Sequence, residues 1–227
     1  MLADTLSETL QHLENAAKAA HRPTPALLAV SKLQPASAVA ELARAGQRAF
    51  GENYVQEAQA KIGELAGMDL EWHLIGHLQS NKAELAAHLF DWVQTVDRHK
   101  LIGALSRYRP ADRAPLNVLV QVNIDDEASK HGCRPEEVAG LAEAIAAEPR
   151  LRLRGLMAIP APHPDTARRI DAFRRMQALQ DQLAAKHPGV DTLSMGMSED
   201  FALALAPVAT MVRIGTALFG ARPARTA

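Results

Sequence analysis

The chain has 227 residues, 48% of them apolar and only 4% aromatic, and a formal net charge of −1. That length and apolar share support one large domain whose core is mostly Leu, Ala, Val and Ile, and the near-neutral charge argues against the basic face of a nucleic-acid binder. Cys133 is the only cysteine, so no disulfide framework forms. The start lacks the basic head and apolar run of a signal peptide, and no stretch approaches the ~20 apolar residues of a membrane span, so a cytoplasmic protein is expected.

Leu6, Leu10, Leu13 and Ala17 recur at helical spacing and predict an amphipathic first helix. Leu27–Val30 reads as a buried strand. Pro35 opens the next helix, where its missing N–H is not needed, and Gly46 stops it. Further strands are expected at Arg48–Phe50, Trp72–Ile75, Trp92–Val96, Asn117–Asn123, Leu153–Ala158, Thr192–Ser194 and Met211–Ile214, each followed by a helical stretch or a turn into one. The clearest helix runs from about Asp165 to Lys186, with Ile170, Phe173, Met176, Leu179 and Leu183 as its apolar stripe. Eight strand–helix units predict a single (β/α)8 TIM-type barrel over residues 1–227, with an extra N-terminal helix. The competing doubly wound sheet would carry a Gly-rich turn after its first strand. Here that turn is Ser31-Lys32-Leu33-Gln34-Pro35, without glycine.

Lys32 stands at the carboxyl end of the first strand, the end that carries the active site in barrels. On position alone it either snorkels at the barrel rim or, with its ammonium disfavoured against apolar neighbours, offers a neutral amine that can condense with an aldehyde. Gly51 is expected to make a tight turn after the second strand. Asn53 then either caps the next helix or donates to an oxygen of a ring bound near Lys32. His73 and His77 tempt a metal reading, but four residues of strand span ~13 Å, too far for one ion, and no metal site is expected. Leu193–Asp200 runs from a strand through a Gly-containing turn into a helix start, a place where backbone N–H groups bind anions. Ser198 then caps that helix or joins Gly215 and Thr216 in a phosphate cradle on strands seven and eight, next to strand one in a closed barrel. An aldehyde that carries a phosphate fits both features, and pyridoxal 5′-phosphate (PLP) is the obvious candidate.

These segments together resemble the pyridoxal phosphate homeostasis proteins, single-domain relatives of the alanine racemase barrel. The matching stretches are Ala29-Val-Ser-Lys32, Phe50-Gly-Glu-Asn-Tyr-Val-Gln-Glu57, Trp72-His73 with Ile75-Gly76, Leu78-Gln-Ser-Asn-Lys82, and Val122-Asn123 with Lys130 and Gly132. They continue with Gly155-Leu-Met157, Leu193-Ser-Met-Gly-Met-Ser198, Met211-Val-Arg-Ile-Gly-Thr216 and Phe219-Gly220. The resemblance implies that Lys32 forms the PLP Schiff base, that Ser198, Gly215 and Thr216 hold the phosphate, that Asn53 lies near the cofactor and that Arg213 faces the pyridine nitrogen. A cation there disfavours the ring proton that carbanion chemistry needs. With the chain ending at Ala227, no room is expected for the racemases' second domain, so a monomeric carrier is expected. It would buffer PLP and deliver it to apoenzymes without efficient catalysis. The alternatives are a PLP-dependent amino-acid racemase, which needs a second acid/base opposite Lys32, and a cofactor-free Schiff-base aldolase. Cys133 is expected in a surface loop and without a role.

Overall fold

The computed structural model of the chain describes residues 1–127, 130–161, 163–197, 204 and 209–220. Eight parallel strands close on themselves in sequence order: β1 Ala26–Val30, β2 Ala49–Glu52, β3 Glu71–Leu74, β4 Trp92–Val96, β5 Leu116–Val122, β6 Leu151–Ala158, β7 Thr192–Ser194 and β8 Met211–Ile214. Closure is direct, with β1 pairing β8 at Ala26↔Met211 through Ala29↔Ile214. The described helices are α1 Leu2–Ala19, α2 Ala36–Arg44, α3 Val55–Glu64, α4 Ala83–Leu89, α5 His99–Tyr108, α6 Val138–Ala146, α7 Thr166–Lys186 and the short α8 Thr216–Phe219. None of them is long and apolar enough to cross a membrane.

Side-chain alternation along each strand makes two apolar regions. Residues facing outward, such as Leu27 and Ala29 of β1 or Trp72 and Leu74 of β3, join one large cluster with the helices. Residues facing inward form small separate clusters, Leu28 with Ile75 and Met211, and Trp92 with Leu119 and Met157. The parity switches once within β6: Leu151 and Leu153 face outward, then Leu156 and Ala158 do. The extra residue is absorbed by a register shift, since Val118 pairs Leu153 but Leu119 pairs Gly155. Gly155 has φ +143°, and a Cβ there would sit 1.9 Å from the Thr192 carbonyl oxygen, so only glycine fits.

The expected strands are all present, with ends shifted by at most two residues. The largest correction is in β2. Gly51 is a strand residue and not a turn, because its bare Cα faces inward, where a Cβ would meet Ile75 at 3.0 Å and Leu28 at 3.2 Å. Pro35 is the residue before α2 and not its first turn, with ψ 156°. Gly46, at φ +108°, follows α2 as expected, with Gln47 N–H reaching back to the Leu42 carbonyl. α1 buries Leu6, Thr9, Leu13 and Ala17, while Leu10 is exposed, since α1 lies on α2 and α8 with that edge of its stripe uncovered.

Candidate functional site

Lys32 lies two residues beyond β1, at the carboxyl end of the barrel, and is half-buried. Both of its neighbours are tied down. The Ser31 N–H donates to the Gly51 carbonyl at 3.0 Å, and the Ser31 hydroxyl donates to Glu52 Oε1 at 2.6 Å. The Leu33 N–H donates to Glu57 Oε1 at 2.5 Å, and Leu33 takes a left-handed φ of +62°. Lys61 of α3 closes the knot. Its ammonium donates to the Ser31 carbonyl at 2.6 Å, to Glu52 Oε1 at 2.7 Å and to Glu57 Oε1 at 2.8 Å. Glu52 is fully buried, and burial pushes its carboxyl upward against the pull of Lys61 and Ser31. A glutamate and a lysine are thus taken out of water to fix the backbone around Lys32, an arrangement that must be mutually satisfied to be tolerated.

Asn53 follows β2 directly and is half-buried. It does not cap α3, whose first turn is preceded by Tyr54 and has no side-chain cap. Its backbone presses on the next loop, where a Cβ at Gly76 would meet the Asn53 carbonyl oxygen at 2.1 Å. Asn53, Gly76, His77 and Gln79 border a cleft of about 350 Å³ at this end of the barrel.

Arg213 of β8 points into the barrel and is only 4% exposed. One guanidinium nitrogen donates to Ser194 Oγ at 2.8 Å and the other to the Ala158 carbonyl at 2.8 Å. Beneath it runs a buried polar row. The Ser194 hydroxyl donates to Gln94 Oε1 at 2.7 Å, and the Gln94 amide meets His73 Nδ1 at 2.9 Å. His73 Nε2 then meets Glu71 Oε1 at 2.8 Å. The acceptor role of Nδ1 fixes His73 as its neutral Nε2–H form. The ring is wholly buried, stacked on Trp92 at 5.1 Å, and burial holds its pKa below the usual imidazole value despite Glu71. Glu71, half exposed at the amino end of β3, is held below the usual carboxylate range by its bond to His73.

Gly215 and Thr216 follow β8 on the same rim as Lys32. A Cβ at Gly215 would lie 3.3 Å from both Val30 Cβ and the Val30 carbonyl oxygen. The bare Cα thus eases a tight approach to β1, independently of any ligand. Thr216 begins the four-residue α8 and is exposed. Ser198 lies outside the described residues. Strand order and register thus bring Lys32, Arg213, Gly215 and Thr216 to one side of the mouth, with Asn53 on the next strand along.

The two tempting histidines part company, as the strand spacing requires. His73 belongs to the polar row, and His77 sits on the rim, with Asp97 and His131 beside it. Burial, His131 and Arg98 lower the His77 pKa against the opposing pull of Asp97. Cys133 is not in a surface loop. It is 4% exposed because its backbone returns to β5, Cys133 N–H donating to the Gln121 carbonyl and Asn123 N–H to the Cys133 carbonyl, both at 2.9 Å. Burial and nearby carboxylates push its thiol up to about 12. The residues missed from sequence are Glu52 and Lys61, Gln94 and Ser194, and the pair Asp97 and His131. The only local signal was the i,i+4 spacing of Glu57 and Lys61.

The family model of the alanine racemase N-terminal domain matches residues 5–223. The pyridoxal phosphate homeostasis protein of Haemophilus influenzae is 54% identical over 218 residues, which cover 93% of this chain and 92% of the relative. That of Pseudomonas aeruginosa is 52% identical over 223 residues, covering 97% and 96%. Among solved structures, PipY of Synechococcus elongatus with PLP bound is 36% identical and superposes with a TM-score of 0.85, over 97% of this chain and 100% of that one. Alanine racemase from Corynebacterium glutamicum, at 20% identity and a TM-score of 0.68, covers 99% of this chain and 62% of that chain, and shares the fold.

Proposed function

Because the chain belongs to the pyridoxal phosphate homeostasis proteins, a branch of the alanine racemase N-terminal barrel family, we propose that it carries PLP as a Schiff base on Lys32. In this reading it buffers the cofactor as a monomer and releases it to apoenzymes. The observation that carries the reading is that Lys32, its backbone clamped on both sides, and Arg213, its guanidinium held by Ser194 and the Ala158 carbonyl, belong to the neighbouring strands β1 and β8. Ser198, Gly215 and Thr216 are assigned to the phosphate, and Asn53 to the ring. Bound PLP supplies an electrophilic aldehyde and a ring that draws electrons when its nitrogen is protonated.

The chain's own residues set how much of that chemistry is available. Lys61 and Glu57 hold the Ser31–Leu33 backbone and so fix where the Lys32 side chain leaves the rim. Ser194 and the Ala158 carbonyl hold Arg213 in place, and a permanently cationic guanidinium disfavours a proton on a nearby ring nitrogen. That supports carriage over turnover.

Borohydride reduction of the PLP-loaded protein followed by peptide mapping tests the assignment. The label is expected on the peptide containing Lys32 and absent from Lys32→Ala. A label that maps elsewhere overturns it.

A further inference from the structure

Beyond Asn53 on the rim, three βα loops bring together a set of side chains that the reading above does not use, His77 among them bordering the same cleft as Asn53. His77 follows β3, Asp97 follows β4, and His131 lies beyond β5. One ligand-type atom from each lies within 4.8 Å of the other two. The two imidazoles stack with centroids 3.7 Å apart and an interplanar angle of 16°. Asp97 Oδ2 lies 3.8 Å from His77 Nδ1. We propose that His77, Asp97 and His131 bind a divalent transition-metal ion of the zinc class.

The donor set decides the class. Two imidazoles and one carboxylate suit Zn²⁺, Ni²⁺ or Cu²⁺, whereas Mg²⁺ and Ca²⁺ take oxygen donors. Tetrahedral zinc, with Zn–N of about 2.0–2.1 Å, needs donor atoms about 3.4 Å apart, so the two exposed rings, now stacked face to face with ligand atoms within 4.8 Å, must turn out of the stack to aim both in-plane lone pairs at one ion. The surroundings orient the ligands. Arg98 donates to Asp97 Oδ1 at 2.5 Å and to the Leu78 carbonyl at 2.8 Å, which turns the second carboxylate oxygen toward His77. Such outer hydrogen bonds are how ligating carboxylates are held. The backbone at His131 and Gly132 is held as well. Gly132 has φ +122° and passes so close to β5 that a Cβ would meet Asn123 N at 2.6 Å, while the His131 carbonyl accepts from Gln121. Three protein ligands leave a coordination position open to water or a small ligand at the mouth of the barrel.

The test is titration of the full chain, freed of PLP, with Zn²⁺ by calorimetry and with Co²⁺ by visible absorption. One equivalent per chain is expected, with Co²⁺ bands of a low-symmetry four- or five-coordinate site. His77→Ala and His131→Ala should each weaken binding at least about tenfold, and His12→Ala on α1 should leave it unchanged. Circular dichroism checks that the variants fold. Removing PLP keeps the cofactor's own metal affinity out of the measurement, so the outcome is independent of the Lys32 assignment. No stoichiometric binding, or equal affinity in His77→Ala and His131→Ala, overturns the site.

Discussion

The Lys61 ammonium donates to the Ser31 carbonyl at 2.6 Å, one residue before Lys32. The same ammonium neutralises the buried Glu52. Lys61→Met should therefore destabilise the fold by ~3–5 kcal/mol, the usual cost of leaving a buried charge unpaired. Adding Glu52→Gln should recover part of that stability in urea denaturation, yet leave PLP retention weak, because the Ser31 carbonyl remains unheld. A double variant that binds PLP like the parent would show that the clamp does not aim Lys32.

Ser194→Ala removes one anchor of Arg213 and strands Gln94 Oε1 in the barrel interior. A loss of ~1–3 kcal/mol of stability is expected, the cost of an unsatisfied buried acceptor. Spectrophotometric titration should also show weaker PLP binding, with Ser194→Thr, which keeps the hydroxyl, closer to the parent.

Acid sensitivity should trace to His73. Its folded pKa is lowered, so between the unfolded value of ~6.5 and the folded value the unfolded chain binds more protons, and stability falls as pH falls through that window. Glu71, also lowered, adds a loss below its ordinary range, whereas the raised Glu52 acts in the opposite sense, losing stability as pH rises. Urea midpoints of parent and His73→Gln should therefore diverge least near pH 5 and most near pH 7. A constant gap across that range would refute the assignment.

The Cys133 thiol, buried and raised to about 12, should resist a disulfide reagent at pH 8 in the native protein and react fully once denatured. Rapid native labelling would place it at the surface after all.

Gly155→Ala should be the most damaging single methyl addition in the barrel, since the new Cβ would overlap the Thr192 carbonyl oxygen and φ is +143°. A loss of more than ~3 kcal/mol, or failure to fold, is expected from expression yield and thermal denaturation.

The barrel was legible because its strands are short apolar runs and its helices keep a 3.6-residue stripe, signals that are local. The place of Lys32 just past β1 was legible because the apolar run of that strand stops there. What escaped was polar and inside. Glu52 looked like the start of a loop, because nothing near it in sequence announces that Lys61 will neutralise it and let β2 run on. Gln94 and Ser194 are 100 residues apart, and only the closed order of strands makes them neighbours. Cys133 next to Gly132 resembles a surface turn until the chain is seen to fold back on β5.

In the row from Arg213 through Ser194, Gln94 and His73 to Glu71, every link donates toward Glu71, and the Gln94 amide also reaches Met211 Sδ at 3.2 Å. No member can turn round alone, and aligned donors polarise one another. Glu71, half exposed at the amino end of β3, is thereby joined to the Arg213 guanidinium by four hydrogen bonds in series, a fixed link through the barrel interior with no mobile atom in it.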